Sequence, residues 1–168
     1  APVTLTVGIT GHRRLPDDPA LADAVRAMLR QLRAGGRLRL LSPLADGADL
    51  LAAELALAEG DALHVVLPMP AAAYRADFSD AAWARAQALL DRAERLTVTE
   101  GRGDGAYARC GRRVAEQAEV MLAIWDGAPS LGPGGTAEIV SYACRLGRPV
   151  WWISAAAPYE VVLLPSGV

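Results

Sequence analysis

Val120-Met-Leu-Ala-Ile-Trp125 is an unbroken apolar run of strand length, closed by Asp126-Gly127. Alternating apolar and polar residues would mark a strand with one face in water. A continuous run marks a strand covered on both faces, as in the parallel sheet of an α/β protein. The reading extends outward from this run. Val3-Thr-Leu-Thr-Val-Gly-Ile-Thr10, Leu38 to Leu41, Leu63-His-Val-Val-Leu67, Leu96 to Thr99 and Pro149-Val-Trp-Trp-Ile153 are further short strands, and Val161 to Leu164 is a candidate edge strand. Between them the spacing turns helical. Leu21, Val25, Met28, Leu29 and Leu32 share one face of a helix that stops at Gly35-Gly36. Other helices are expected from about Gly47 to Glu59, over residues 79–95, over Tyr107 to Ala118, and after Gly134-Gly135 through Ile139, Val140, Ala143, Cys144 and Leu146. Strand–helix alternation implies right-handed crossovers. The predicted fold is α/β: a doubly wound, mostly parallel sheet of five to seven strands in three αβα layers, with residues 1–168 as a single domain.

The chain has 168 residues, 52% of them hydrophobic and 21% charged, which places it among folded single domains. No apolar run reaches the ~18 residues of a membrane span and no leader pattern opens the chain, so a cytoplasmic location without membrane contact is expected. The formal net charge of −2 lacks the basic surplus of a duplex binder, so no nucleic-acid partner is expected. All 17 basic residues are arginine, and the absence of lysine excludes Schiff-base chemistry, pyridoxal phosphate attachment and the Walker A phosphate loop. Cys110 and Cys144 lack metal-site spacing, and only His12 and His64 accompany them, so neither a metal nor a cofactor is expected and both thiols read as free and buried. His64, inside an apolar strand, reads as a structural residue.

In an open α/β sheet, ligands bind beyond the carboxyl ends of the strands where strand order reverses, and three loops qualify. The first is Gly8-Ile-Thr-Gly-His-Arg-Arg14. Glycines there allow close backbone approach, and Arg13, with Arg14 behind it, can hold phosphate through forked hydrogen bonds. The same loop also reads as a tight turn with solvated arginines, and His12 as a phosphate or base contact or as a turn cap. Its G-x-x-G spacing is not the dinucleotide pattern, and Ser42 stands where the acidic ribose ligand would be, which disfavours a nicotinamide dehydrogenase. The second loop, Ser42-Pro-Leu-Ala-Asp-Gly-Ala-Asp49, places Asp46 as an N-cap with Asp49 three residues on; both stabilise a helix start, or one of them takes ribose hydroxyls. The third, Trp125 to Glu138, ends in Pro133-Gly-Gly-Thr136 before a helix. Amides at Gly134, Gly135 and Thr136 form an anion site, or an ordinary helix start, and Glu138 points back one turn later. Tyr107 and Trp125 stack on a base or pack in the core.

Val7 to Arg13, Ser42 with Ala45-Asp-Gly-Ala-Asp49, Tyr107 to Arg113, Val120 to Gly127, Gly134-Gly-Thr-Ala-Glu138 and Gly147-Arg-Pro-Val150 together resemble the SLOG superfamily. These are Rossmann-like domains related to the cytokinin-activating phosphoribohydrolases, and the likeness runs in order along nearly the whole chain. It implies a pocket for a nucleotide or nucleotide-derived molecule, with Thr10, Gly11, His12, Arg13, Ser42, Gly47, Asp49, Asp126, Gly134, Gly135, Thr136 and Glu138 as candidate contacts. In the hydrolase branch the motif is Pro-Gly-Gly-x-Gly-Thr-x-Glu-Glu. Here two of its residues are missing after Gly135, and Ile139 replaces the second glutamate. The expected function is therefore binding of a nucleotide-like ligand by a sensing module, in bacterial defence or stress signalling. The alternative is hydrolysis of the N-glycosidic bond of a nucleoside monophosphate, with Glu138 stabilising the oxocarbenium-like state and Arg113 holding phosphate. A third reading is an oligomerising module with a vestigial pocket, in which Trp83 and one of Trp151 and Trp152 mark a partner surface. A homodimer or larger assembly is expected.

Overall fold

The computed structural model describes residues 3–100, 103–130, 132 and 134–165. Leu131 and Pro133 of the expected Trp125–Glu138 loop lie outside them.

Seven strands form one sheet: β1 (Thr4–Gly11), β2 (Arg37–Ser42), β3 (Ala62–Leu67), β4 (Arg95–Val98), β5 (Val120–Trp125), β6 (Val150–Ser154) and β7 (Val161–Leu164). Their order is β4-β3-β2-β1-β5-β6-β7, with all pairs parallel except β6 with β7. The helices are α1 (Pro19–Arg33), α2 (Ala48–Ala58), α3 (Ala71–Tyr74), α4 (Asp80–Arg92), α5 (Ala106–Gln117) and α6 (Thr136–Arg145). This is the expected three-layer, doubly wound architecture. The chain fills one half of the sheet from β1 to β4 and then returns through α5 to β5 beside β1, so strand order reverses between β1 and β5.

Local chemistry explains the elements. Asp18 Oδ1 accepts the Ala20 amide at 3.0 Å and Pro19 opens α1 with a preset φ. Leu21, Val25, Met28 and Leu29, spaced as neighbours on a helix surface, are all buried. The second oxygen of Asp18 accepts the Tyr159 hydroxyl at 2.7 Å, tying the segment before β7 to the start of α1. Ser79 caps α4 in the same manner, through the Ala82 amide at 3.1 Å.

Two apolar clusters line the sheet. One holds the buried faces of α1, α2 and α4; the other holds α5 and α6 against β2, β3, β5 and β6. Cys110 and Cys144 are free and buried in the second cluster. Burial pushes the Cys110 thiol up to about 12, and its Sγ donates to the Val66 carbonyl at 3.0 Å, which leaves it inert as a nucleophile. Trp151 and Trp152 lie on opposite sheet faces, as adjacent strand residues must. Trp151 packs against the first cluster, while Trp152 sits 5.3 Å from Trp125, ring centre to ring centre. Trp83 is half-buried against Phe78, at 5.1 Å between ring centres. No helix among the described residues is long and apolar enough to cross a membrane.

One expectation needs correction. The strands are not covered on both faces throughout. Three longer helices lie on one side but only two on the other, and the amino-terminal parts of β2, β3 and β4 stay half open there, with His64 half-buried rather than in the core.

Candidate functional site

The backbone of the loop after β1 is fixed on both sides of His12. His12 N–H donates to the Ile124 carbonyl of β5 at 3.0 Å, and the His12 carbonyl accepts the Ala48 amide at the start of α2 at 3.0 Å. The path leaves no room for side chains. A Cβ on Gly11 would lie 2.4 Å from Ala48 Cβ and 2.5 Å from the Ile124 carbonyl oxygen. Gly47 has φ of 85°, and a Cβ there would lie 2.3 Å from the His12 carbonyl oxygen. Gly47 borders neither hollow described below, and its missing side chain lets the β1 loop approach α2.

Gly47, not Asp46, is the N-cap of α2, and it has no side chain to offer. Asp46 instead turns its Oδ1 onto the Gly47 amide at 2.8 Å. Ser42 is wholly buried; its hydroxyl donates to the Asp49 carbonyl at 3.2 Å and accepts the Leu44 amide at 3.1 Å. It fastens β2 to α2 and borders neither hollow described below. Asp49 is only 6% exposed, and its carboxylate accepts one distant amide, Ala45 N–H at 3.3 Å. Burial drives its pKa up to about 7, the Ala45 bond and the Arg13 charge opposing.

The structure brings most of the expected residues together at the β1–β5 reversal, around two adjoining hollows. A narrow inner one of about 80 Å3 is bordered by Thr10, Asp49, Tyr74 and Cys110, and a wider outer one of about 360 Å3 by His12, Trp125, Asp126 and Ser130. Gly11, Arg13, Gly134 and Thr136 border both, and Gly135 borders the outer one. The Arg13 guanidinium lies 5.1 Å from the centre of the Tyr107 ring, a cation–π distance. Tyr107 in turn donates its hydroxyl to Asp77. The Asp126 amide donates to His12 Nε2 at 3.0 Å, and Asp126 Oδ1 lies 3.2 Å from the same nitrogen. The Ala128 amide is the main reason the Asp126 carboxyl lies below the ordinary range.

The amides before α6 are partly engaged. Glu138 Oε2 accepts the Gly134 N–H at 2.8 Å, and Ser130 Oγ accepts the Glu138 N–H at 3.1 Å. An oxyanion, the protein's own carboxylate, therefore already occupies one of the expected donors. Glu138 borders neither hollow, and its other oxygen is 3.4 Å from Arg112 Nη1. Arg113, the expected partner, is exposed on another side of α5, in a groove with Thr99 and Glu100.

Sequence reading missed Tyr74. It ends the alanine-rich short helix α3, Ala71-Ala-Ala-Tyr74, behind Pro68 and Pro70 after β3, and is 1% exposed. A lone aromatic just past a strand's carboxyl end was the available signal. Ser130, eight residues before the amide it accepts, had no local signature.

Comparison of the sequence with family models and with curated proteins finds no match. Solved structures do match. DNA processing protein A from Helicobacter pylori, described in a single-stranded DNA binding mode, shares 19% identity at a TM-score of 0.62, over 88% of this chain and 64% of that one. DNA processing protein A from Streptococcus pneumoniae shares 19% identity at a TM-score of 0.65, over 92% of this chain and 52% of that one. The chain thus spans less than two thirds of either protein. The molybdenum cofactor carrier protein from Chlamydomonas reinhardtii shares 20% identity at a TM-score of 0.56, over 89% of this chain and 76% of that one. The expectation that nucleic acid is excluded as a partner is corrected by the first of these likenesses, since this fold serves a single-stranded DNA binder. The physical error lay in averaging. A net charge of −2 describes the whole surface and does not exclude a local basic track, which is all that a single strand needs.

Proposed function

From a chain with the Rossmann-like fold of the SLOG type, we propose that it binds a phosphate-bearing, nucleotide-type ligand in the outer hollow between the carboxyl ends of β1 and β5 and the start of α6. The observation that carries the reading is the Glu138 carboxylate on the Gly134 amide: that donor already takes an oxyanion. A ligand phosphate would displace that carboxylate and add the helix dipole of α6. Arg13 supplies positive charge beside both hollows. Asp126 faces the outer one and offers a carboxylate to sugar hydroxyls. A hollow of about 360 Å3 falls within the range of small-molecule sites.

The test is thermal unfolding with nucleoside mono-, di- and triphosphates, cyclic nucleotides, ADP-ribose and a short single-stranded oligonucleotide. The last asks whether the phosphate can be a phosphodiester, as in the ligand of the Helicobacter protein. A ligand at 100 times its Kd adds about 2.7 kcal/mol, which for a chain of this size raises Tm by roughly 5–10 °C. Arg13→Gln is expected to reduce the rise. A flat response across the whole panel sinks the proposal.

Asp49 favours a second reading. An acid that holds its proton near neutrality, beside Thr10 in the inner hollow, would protonate the leaving base as the N-glycosidic bond breaks, and its carboxylate would then take the proton of the water that adds to the sugar. Incubation with several nucleoside monophosphates is then expected to release free base, and Asp49→Asn to abolish the release. No release from any of them leaves binding as the function.

A further inference from the structure

The open part of the sheet lies on the α5–α6 side, towards the amino-terminal ends of the strands and away from the hollows just described. Register and alternation put Thr6, Arg39, His64 and Arg95 on that face. Thr6 pairs with Arg39, Leu41 with His64, and His64 with Arg95. Together with Thr97 and Gln117 they border a hollow of about 210 Å3.

Its electrostatics are unbalanced. Arg26, Arg30, Arg33, Arg75, Arg85 and Arg112 each have a carboxylate within ion-pair distance. Among the described residues neither Arg39 nor Arg95 has one. Arg39 Nε is, among those residues, the sole buried side-chain nitrogen or oxygen without a hydrogen-bond partner. Its Nη1 reaches Thr6 Oγ1 only at 3.5 Å. A buried donor left unpaired costs on the order of 1–3 kcal/mol, so its persistence calls for an acceptor. The nearby carboxylates do not serve. Glu119 is turned onto the Thr6 amide at 2.8 Å, and Glu94 acts on His64 less strongly than Arg39 and Arg95 do. Burial, followed by those two arginines, holds the imidazole below its usual proton affinity.

We propose that this face is a second oxyanion site, taking a phosphoryl group between Arg39, His64 and Arg95. Two guanidinium forks, an imidazole and two threonine hydroxyls form a set rich in donors, and a tetrahedral oxyanion offers acceptors in several directions at once. Charge complementarity identifies the occupant. The phosphoryl group can be free phosphate or the end of a larger molecule, and the site does not depend on the ligand proposed for the β1–β5 hollow.

The chain has two histidines, His12 in that hollow and His64 here, so their ring signals in a proton–carbon NMR spectrum report the two places separately. Titration with inorganic phosphate, and separately with pyrophosphate, is expected to move the His64 signals saturably. Chloride at matched ionic strength should leave them in place. Arg39→Gln, and Arg95→Gln on the exposed edge strand, should each weaken the response roughly tenfold while the rest of the spectrum stays folded. A response to pyrophosphate alone still supports the site and points to a larger phosphorylated ligand. Movement of His12 only, an equal response to chloride, or an undiminished response in both variants overturns it. So does saturation by an acidic peptide and not by either phosphate, which would make the face a protein contact.

Discussion

Between about pH 4 and pH 7 the unfolding free energy is expected to fall as pH rises, by up to about 4 kcal/mol from Asp49 alone, and Asp49→Asn is expected to remove that slope. The folded chain holds the Asp49 proton up to about pH 7, whereas the unfolded chain releases it near the ordinary value of 3.8. In that window the folded state binds more protons, so raising the pH favours unfolding. The contribution is fully present below about pH 4 and lost by about pH 7. Asp18 and Asp126 act in the opposite sense at more acid pH, and His64, held below 6.5, opposes Asp49 within the window, so the Asp49 share is read as the difference between the parent chain and Asp49→Asn. Urea unfolding at a series of pH values, for the parent chain and Asp49→Asn, checks this. Parallel curves would show that Asp49 is solvated and not the buried acid described above. The same experiment bears on function, because a carboxyl that keeps its proton near neutrality is the feature on which the hydrolytic reading stands.

Gly47→Ala is expected to cost about 3 kcal/mol or more, and Gly60→Ala only about 1 kcal/mol. The two glycines have nearly the same φ, 85° and 84°, but Gly47 also has ψ of −121°, a combination that essentially only glycine adopts. They differ in surroundings too. A Cβ on Gly47 would meet the His12 carbonyl oxygen at 2.3 Å and Arg13 backbone atoms at 2.6 Å, whereas nothing lies within 4 Å of one on Gly60. Backbone cannot step aside as a flexible side chain can, so the Gly47 variant must push the β1 loop off α2. It should therefore also lose ligand affinity, since His12 and Arg13 move with that loop. Chemical denaturation of both variants and ligand titration of whichever folds are the measurements. Equal costs at the two sites would mean that the loop is not packed on Gly47 as described.

Some residues announced these features and others did not. The unbroken Val120–Trp125 run announced a covered parallel strand, and that strand lies beside β1, the central strand of the sheet. Val161–Leu164 was legible as an edge, though its antiparallel sense was not, because a four-residue strand carries no mark of direction. At the candidate site, Gly134 to Thr136 were legible as a helix start with free donors, since capping chemistry is local. That Glu138 already sits on one of those donors is visible only in three dimensions. His64 looked structural because its neighbours Leu63, Val65 and Val66 are apolar. Nothing in that stretch says that no helix crosses above it.

The amino-acid order by itself therefore set which segments are strands and helices, where they stop, and which loops gather at the carboxyl edge. Those properties rest on spacings of two or 3.6 residues and on caps a few residues away. Folding in three dimensions decided the rest: the raised proton affinity of Asp49, the backbone contact that only glycine tolerates at residue 47, and the unpaired Arg39 beside His64. Each depends on which distant atoms exclude water from a group or fail to answer its charge, and that is a property of packing between segments far apart in the chain.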